Sequence, residues 1–307
     1  MTAKTWLSRN ARSLAGKSVA ISGATGGLGR ELCRYLVQLD ARLILLDRSE
    51  SRSAALQAEL RAIRPAVQLS RIPLELEDPS AVAAAARALA ADPPDVLILN
   101  AGAYSIPRHR CETGLDNVFQ IDFASPYCLV RALLPVMRQK HTRVVAVGSI
   151  ANGYSHADSA DVDFSTRRSA AKVYGNAKRY LMYALDELFS RETDTTLSIV
   201  HPGITFTNIT AHYPKWLFAI IKYPMKVIFM PPRRAALSLL SGVFWPVGRG
   251  EWSGPWLFSV WGLPVRRRLR GCPPEERQQI FSAAEQIAGD FFQRTAAPQS
   301  GIVSDAP

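Results

Sequence analysis

Little in this chain could staple a fold or hold a metal. Its four cysteines, Cys33, Cys111, Cys128 and Cys272, are scattered through 307 residues without metal-ligand spacing. No secretory leader precedes them, so the thiols are expected to stay reduced in a cytoplasmic setting. The five histidines, His109, His141, His156, His201 and His212, make no paired ligand pattern, and no metal is expected. No internal repeat is visible. The apolar runs between Leu217 and Met230 are too short, and too interrupted by lysine and Pro224, to span a bilayer. Acidic charge is scarce as well: 26 Asp and Glu against 37 Lys and Arg leave a net charge of +11. The basic residues are dispersed through helical patterns with no binding motif, which argues against a nucleic-acid partner and leaves anionic surfaces in general.

What the chain does have is alternation. Up to about residue 200, short apolar runs alternate with amphipathic helical patterns, which demands a parallel sheet covered on both faces. The length suits one doubly wound α/β domain over residues 1–294, with residues 295–307 as a frayed tail lacking aromatics and periodicity.

The run Lys17-Ser18-Val19-Ala20-Ile21-Ser22 ends in Gly23-Ala24-Thr25-Gly26-Gly27-Leu28-Gly29. Beyond it, Leu28, Leu32, Tyr35, Leu36 and Leu39 recur at helical spacing. Strand, glycine turn and helix open a dinucleotide-binding unit of Rossmann type. The glycines allow a sharp turn and let pyrophosphate approach the helix N-terminus, where unpaired N–H groups favour an anion. A second strand, Arg42-Leu43-Ile44-Leu45-Leu46, ends at Asp47. A carboxylate there accepts ribose hydroxyls and repels a 2′-phosphate, which favours NAD; the adjacent Arg48 could greet that phosphate, which keeps NADP open. Asp47 could also serve as a turn residue or helix cap.

Tyr174 and Lys178, four apart in Tyr174-Gly175-Asn176-Ala177-Lys178, project from one face of an expected helix. An ammonium beside a phenol stabilises phenolate and is expected to lower the tyrosine from its usual ~10, giving a proton donor and acceptor near neutral pH. The spacing alone is common in solvated helices and takes its weight from the glycine turn upstream.

Together these segments resemble the short-chain dehydrogenase/reductase family, over roughly residues 15 to 210. The family's glycine turn falls on Ser22 to Gly29, with serine in place of threonine, and its Asn-Ala-Gly segment on Asn100-Ala101-Gly102. Its catalytic serine falls on Ser149, its Tyr–Lys pair on Tyr174 and Lys178, and its Pro-Gly turn on His201-Pro202-Gly203-Ile204-Thr205-Phe206-Thr207. The resemblance implies that Tyr174 handles the proton, Lys178 holds the nicotinamide ribose, Ser149 orients the substrate oxygen, and Asn100 and Asp122 support them. It implies cofactor contacts at Gly23, Thr25, Gly27, Leu28, Gly29, Asp47, Arg48, Asn100, Ala101, Gly102, Tyr174, Lys178, Pro202, Gly203, Thr205 and Thr207. One departure stands out: where the family commonly carries asparagine, this chain has Asp122, which keeps an acceptor, loses an amide donor and adds charge near Lys178. Gly114 to Gln120, and the long insert before Tyr174 with Asp161-Val162-Asp163-Phe164, are similar to the retinol-dehydrogenase-like branch. The family also suggests a homodimer or a monomer.

Residues 213–230 read as an apolar helical lid over a lipophilic substrate. Lys215, Lys222 and Lys226, interleaved with aromatics, leave open that the lid also touches a membrane. Trp252, Trp256, Phe258 and Trp261 follow, then Arg266-Arg267-Arg268-Leu269-Arg270. The expected function is oxidoreduction between an alcohol and a carbonyl on a lipophilic small molecule. The alternative is a catalytically weak cofactor-binding module that senses redox state or docks at membranes.

Overall fold

The computed structural model describes residues 2–204, 230–245 and 248–296. Its strands are β1 (Ser18–Ser22), β2 (Arg42–Asp47), β3 (Leu69–Pro73), β4 (Val96–Leu99), β5 (Arg143–Val147), β6 (Thr196–Val200), β7 (Glu251–Leu257) and β8 (Trp261–Arg268). The helices are α1 (Ala3–Asn10), α2 (Gly27–Gln38), α3 (Glu50–Ile63), α4 (Pro79–Ala91), α5 (Asn117–Phe119), α6 (Ser125–Lys140), α7 (Ala170–Phe189), α8 (Pro232–Phe244) and α9 (Pro274–Ala296). The strands form one sheet in the order β3-β2-β1-β4-β5-β6-β7-β8, parallel through β7, with β8 antiparallel at the edge.

Side chains alternate across a strand, and here each face feeds a separate core. Val19, Ile21, Leu43, Leu45, Ile98 and Val145 point to one side, where Leu32 and Leu36 of α2 and Leu237 and Leu240 of α8 cover them. Ala20, Ile44, Leu97, Leu99, Val144 and Ala146 point to the other, under α4, α6, α7 and α9. The middles of the inner strands are largely apolar because neither face meets water. The switch in strand order lies between β1 and β4, so a crevice opens at the C-terminal ends of those two strands.

Two elements go beyond the sequence reading. Helix α1 docks through the buried Trp6, whose ring lies 5.7 Å from that of Trp245, while Trp245 Nε1 donates to Asn10 Oδ1 at 3.1 Å. Helix α9 continues to Ala296, so Thr295 and Ala296 are helical and not part of a tail.

The start of α9 is clamped to α7 by the buried Arg179. Its guanidinium donates to Glu276 Oε1 at 2.6 Å and Oε2 at 2.5 Å, to the Gly271 carbonyl at 2.6 Å and to the Asn152 carbonyl at 3.1 Å. Glu276 also accepts from the Ala157 N–H at 2.6 Å. Burial alone would raise the Glu276 carboxyl; Arg179, the Ala157 amide and His156 outweigh it and hold it at about 2, against 4.5 unperturbed. The unfolded chain therefore takes up this proton first on acidification. The clamp's stability should be complete above pH 4.5 and fade as pH falls toward 2. Glu276→Gln leaves a buried guanidinium without its counter-charge, at a cost of about 3 kcal/mol. Urea unfolding at several pH values should show that loss near neutrality and a flatter acid limb in the variant. An equal acid limb in both proteins would remove Glu276 from the account.

Candidate active site

The crevice has a volume of about 440 Å³ and runs from Asp47, Arg48 and Ser49, past the glycine turn, to Gly102, Ala103 and Tyr104. Gly23 sits at φ +66°, and a Cβ on it would come within 2.8 Å of Ala101 Cα, so the turn and the end of β4 touch through bare backbone. Ser22 ties the same two segments, its Oγ accepting from the Asn100 and Ala101 N–H groups at 3.1 Å each. Asn100 Nδ2 returns the contact to the carbonyls of Ser22 and Gly23 at 3.0 Å each. The serine that replaces threonine thus acts through its hydroxyl.

Three observations bear on whether a dinucleotide fits. Helix α2 begins after its N-cap Gly26 with no side chain capping its first N–H groups, which leaves the helix end open to an anion. At the end of β2 the buried Asp47 accepts weakly, at 3.4 Å, from the Thr25 amide and hydroxyl through Oδ1, while Oδ2 has no partner. The Asp47 carboxylate lines the crevice at the end of β2, where a carboxylate can accept from ribose hydroxyls. Burial raises the Asp47 carboxyl, against the lowering pull of Thr25, Ser53 and Arg71. Arg48, by contrast, is exposed, with Nη1 3.6 Å from Glu75 Oε2. The crevice suits the adenosine and pyrophosphate portions of a dinucleotide.

At the far end of the crevice four elements converge on one ammonium. Helix α7, capped by Ser169, carries Tyr174 and, one turn on, the buried Lys178. Lys178 Nζ lies 2.9 Å from Asp122 Oδ1 and donates to the Val147 carbonyl of β5 at 3.2 Å. Asp122 is fully buried in a π turn, Gln120–Ala124, closed by the Ser125 N–H to the Gln120 carbonyl. Such a bulge re-aims one side chain without breaking the helix. The other oxygen of Asp122 accepts from the Ala103 N–H at 3.0 Å, which fixes the loop after β4. Ser149, at the end of β5, is buried and caps the turn Ile150–Tyr154 by accepting from the Ala151 N–H at 3.1 Å.

The electrostatics correct the sequence expectation. Lys178 does pull the Tyr174 phenol down, and so does the Ser149 hydroxyl. Burial is larger, however, and Asp122 and Tyr104 add to it, so the net shift is upward from 10.0. Lys178 stays charged: burial would lower it, but Asp122 and Tyr174 more than compensate and hold it above 10.5. Burial raises Asp122 against the opposing pull of Lys178.

Sequence reasoning missed Tyr104, whose ring meets that of Tyr174 edge-on at 5.3 Å and links the crevice to the phenol. It also missed the reason for the glycine inside the Tyr–Lys pentapeptide. A Cβ on Gly175 would collide with the Ala151 carbonyl oxygen, so α7 can approach the Ser149 turn only with glycine there. Pro202 and Gly203 lie beyond β6; Thr205, Thr207 and nearly all of the 213–230 lid fall outside the described residues.

Glu77, His109 and Cys111 bring three donor atoms within 4.8 Å of one another, the only such group among the described residues. Asn117 Nδ2 donates to the Pro107 carbonyl at 3.1 Å and faces His109 Nδ1 at 3.1 Å, which places the imidazole proton on Nε2. That proton points at Glu77 Oε2, 2.7 Å away. The group is therefore built as a hydrogen-bonded pair with a nearby thiol.

A family model described as short chain dehydrogenase matches residues 17–217. Human (Homo sapiens) retinol dehydrogenase 14 is 28% identical over 215 residues, covering 64% of this chain, and the chain spans 64% of that relative's length. Polyprenol dehydrogenase of Mus musculus is 27% identical over 236 residues, covering 73% of this chain and 70% of the relative. The solved structure of a Mycobacterium paratuberculosis protein superposes with a TM-score of 0.69 at 23% identity, over 93% of this chain and 96% of that one.

Replacing Asp122 by Asn removes the charge that opposes Lys178. The Tyr174 phenol should then ionise at lower pH, and the limb of the pH–rate profile that reports it should move toward acid. An unmoved profile would mean that the carboxylate does not reach the phenol.

Proposed function

The chain belongs to the short-chain dehydrogenase family, and from that premise we propose that it is a nicotinamide-dependent oxidoreductase interconverting an alcohol and a carbonyl on a lipophilic substrate. The observation that carries this reading is the convergence of Ser149, Tyr174 and a charged, buried Lys178 beside the crevice that begins at Asp47, joined to it through Tyr104. Asp47 and Thr25 would hold the adenosine ribose, and the open N-terminus of α2 the pyrophosphate. Asn100 would keep the glycine turn in place. When bound, the nicotinamide supplies or accepts the hydride.

The protein's own task is to position the substrate and handle a proton. Ser149 would hold the substrate oxygen, and Tyr174 would give that oxygen a proton or take it away. With its phenol raised by burial and by Asp122, Tyr174 is fully protonated at neutral pH. That state has a proton to give to a carbonyl being reduced, but gives it up less readily than an unperturbed phenol would. Oxidation of an alcohol needs the phenolate and gains as pH rises. Lys178, kept charged by Asp122, stabilises whatever phenolate forms.

Lipophilic substrate chemistry is supported by the retinol and polyprenol dehydrogenase relatives and by Tyr104, Ile106 and Ile121 along the inner crevice. NAD is favoured over NADP because the Asp47 carboxylate lines the end of the crevice, where it would repel a 2′-phosphate, while Arg48 turns to Glu75. Residues 1–294 would act as one oxidoreductase domain. The buried Asp122–Lys178 pair favours a second reading, a weakly active cofactor-binding module, because it leaves the phenol hard to ionise.

Tyr174→Phe separates the two readings. Cofactor affinity should hold while turnover on retinoids, steroids or long-chain alcohols falls by a factor on the order of 10² or more, read at the reduced-nicotinamide absorbance. Undiminished turnover would sink the mechanism, and no turnover by the unmutated protein across the panel would favour the binding module. For the cofactor, Asp47→Ser should narrow or reverse a preference for NAD(H), measured by fluorescence titration of both cofactors. An unmutated protein that prefers NADP(H) would hand the selectivity to Arg48.

A further inference from the structure

The tip of the β7–β8 hairpin carries the largest exposed apolar side chains among the described residues. Trp256, Leu257 and Phe258 are 57%, 39% and 85% exposed. Trp256 is not loosely held: Gly262, at φ +112°, leaves its ring room to lie directly against the opposite strand, where a Cβ would collide with it. The turn itself closes by the Val260 N–H to the Leu257 carbonyl at 2.9 Å. Its two central residues, Phe258 and Ser259, both have positive φ, 49° and 60°. Turns of that kind are normally made by asparagine and glycine, and a bulky side chain is a poor occupant. Phe258 thus bears two costs at once, a left-handed backbone and a ring left in water, and folding compensates neither. Placing that ring in an apolar environment would offset the second.

Position and charge identify the environment. Strand β7 runs parallel to β6, so its C-terminal end lies on the sheet edge where the crevice opens. Val260 packs against the Pro202–Gly203 turn so closely that a Cβ on Gly203 would come within 2.6 Å of the Val260 carbonyl oxygen. Arg266 and Arg268 stand at the other end of the hairpin, opposite Ser253 and Glu251, and Arg249 pairs with Glu187, so the basic groups beside the tip are Arg234 and Arg267. The Arg267 side chain runs up the hairpin to donate to the Trp256 carbonyl, and Arg234 sits over the Trp261 ring at 4.8 Å from its centroid. An apolar tip flanked by guanidinium groups matches a bilayer interface with anionic headgroups.

We propose that the Trp256-Leu257-Phe258 tip inserts into the interface of anionic membranes and sets the mouth of the crevice at the lipid surface. This assignment does not depend on the substrate class or on turnover.

The test is co-sedimentation of the full chain with phosphatidylcholine vesicles, with and without phosphatidylserine, at low and high salt. Binding should require phosphatidylserine and weaken with salt. Phe258→Asn should cut the apparent affinity by about ten-fold or more while melting at the same or higher temperature, since asparagine tolerates the left-handed conformation. Phe258→Trp should retain binding. The proposal fails if the unmutated protein stays in the supernatant at low salt, or if Phe258→Asn binds as the unmutated protein does. It also fails if binding is equal on neutral vesicles. Light scattering that finds Phe258-dependent self-association without vesicle binding would give the tip to a second copy of the chain.

Discussion

An ammonium cannot be buried alone, and the active-site end of this protein is organised around that constraint. Lys178 is nearly inaccessible, and an unpaired charge there would be far too costly to keep. Its neutralisation recruits Asp122 from the π turn and the Val147 carbonyl from the end of β5. Asp122 in turn holds the Ala103 amide in the loop after β4. Three segments distant in sequence are thereby fixed relative to α7, and with them the crevice wall at Gly102 and Tyr104.

The same pair sets the acid–base character of the site. A lone ammonium would draw the neighbouring phenol toward ionisation. Here the field of Lys178 is largely cancelled by Asp122 at 2.9 Å, and burial then governs Tyr174. An asparagine at this position would orient Lys178 without cancelling its charge. The chain has kept the Tyr–Lys–Ser arrangement and changed its electrostatic balance: the phenol holds its proton more tightly than an isolated tyrosine.

Much of this was legible in the sequence because the signals are local. Apolar runs marked the inner strands, the glycine turn marked the start of α2, and Asp47, Asn100 and Ser149 each ended a strand where a residue must face the crevice. Tyr174 and Lys178 declared themselves by helical spacing. The net shift of Tyr174 was not legible, because its sign depends on burial and on Asp122, which only the fold brings beside Lys178. Trp6 of α1 also escaped, since its partner Trp245 lies far along the chain. A left-handed Phe258 has no local signature at all: residue type predicts the opposite.

The glycines show where local reading stops. Gly23 and Gly203 have positive φ and would be expected at turns from the sequence alone. Gly102 and Gly175 do not; their backbones suit any residue, and what excludes a side chain is a neighbour. At Gly102 that neighbour is Asp122, whose Oδ1 would lie 2.6 Å from a Cβ, with Lys178 Nζ at 3.4 Å; at Gly175 it is the Ala151 carbonyl oxygen. The buried ion pair and the close approach of α7 to the Ser149 turn are thus two sides of one requirement. The ammonium can be shielded from water only if backbone packs directly against it, and backbone can pack that closely only where no Cβ intervenes.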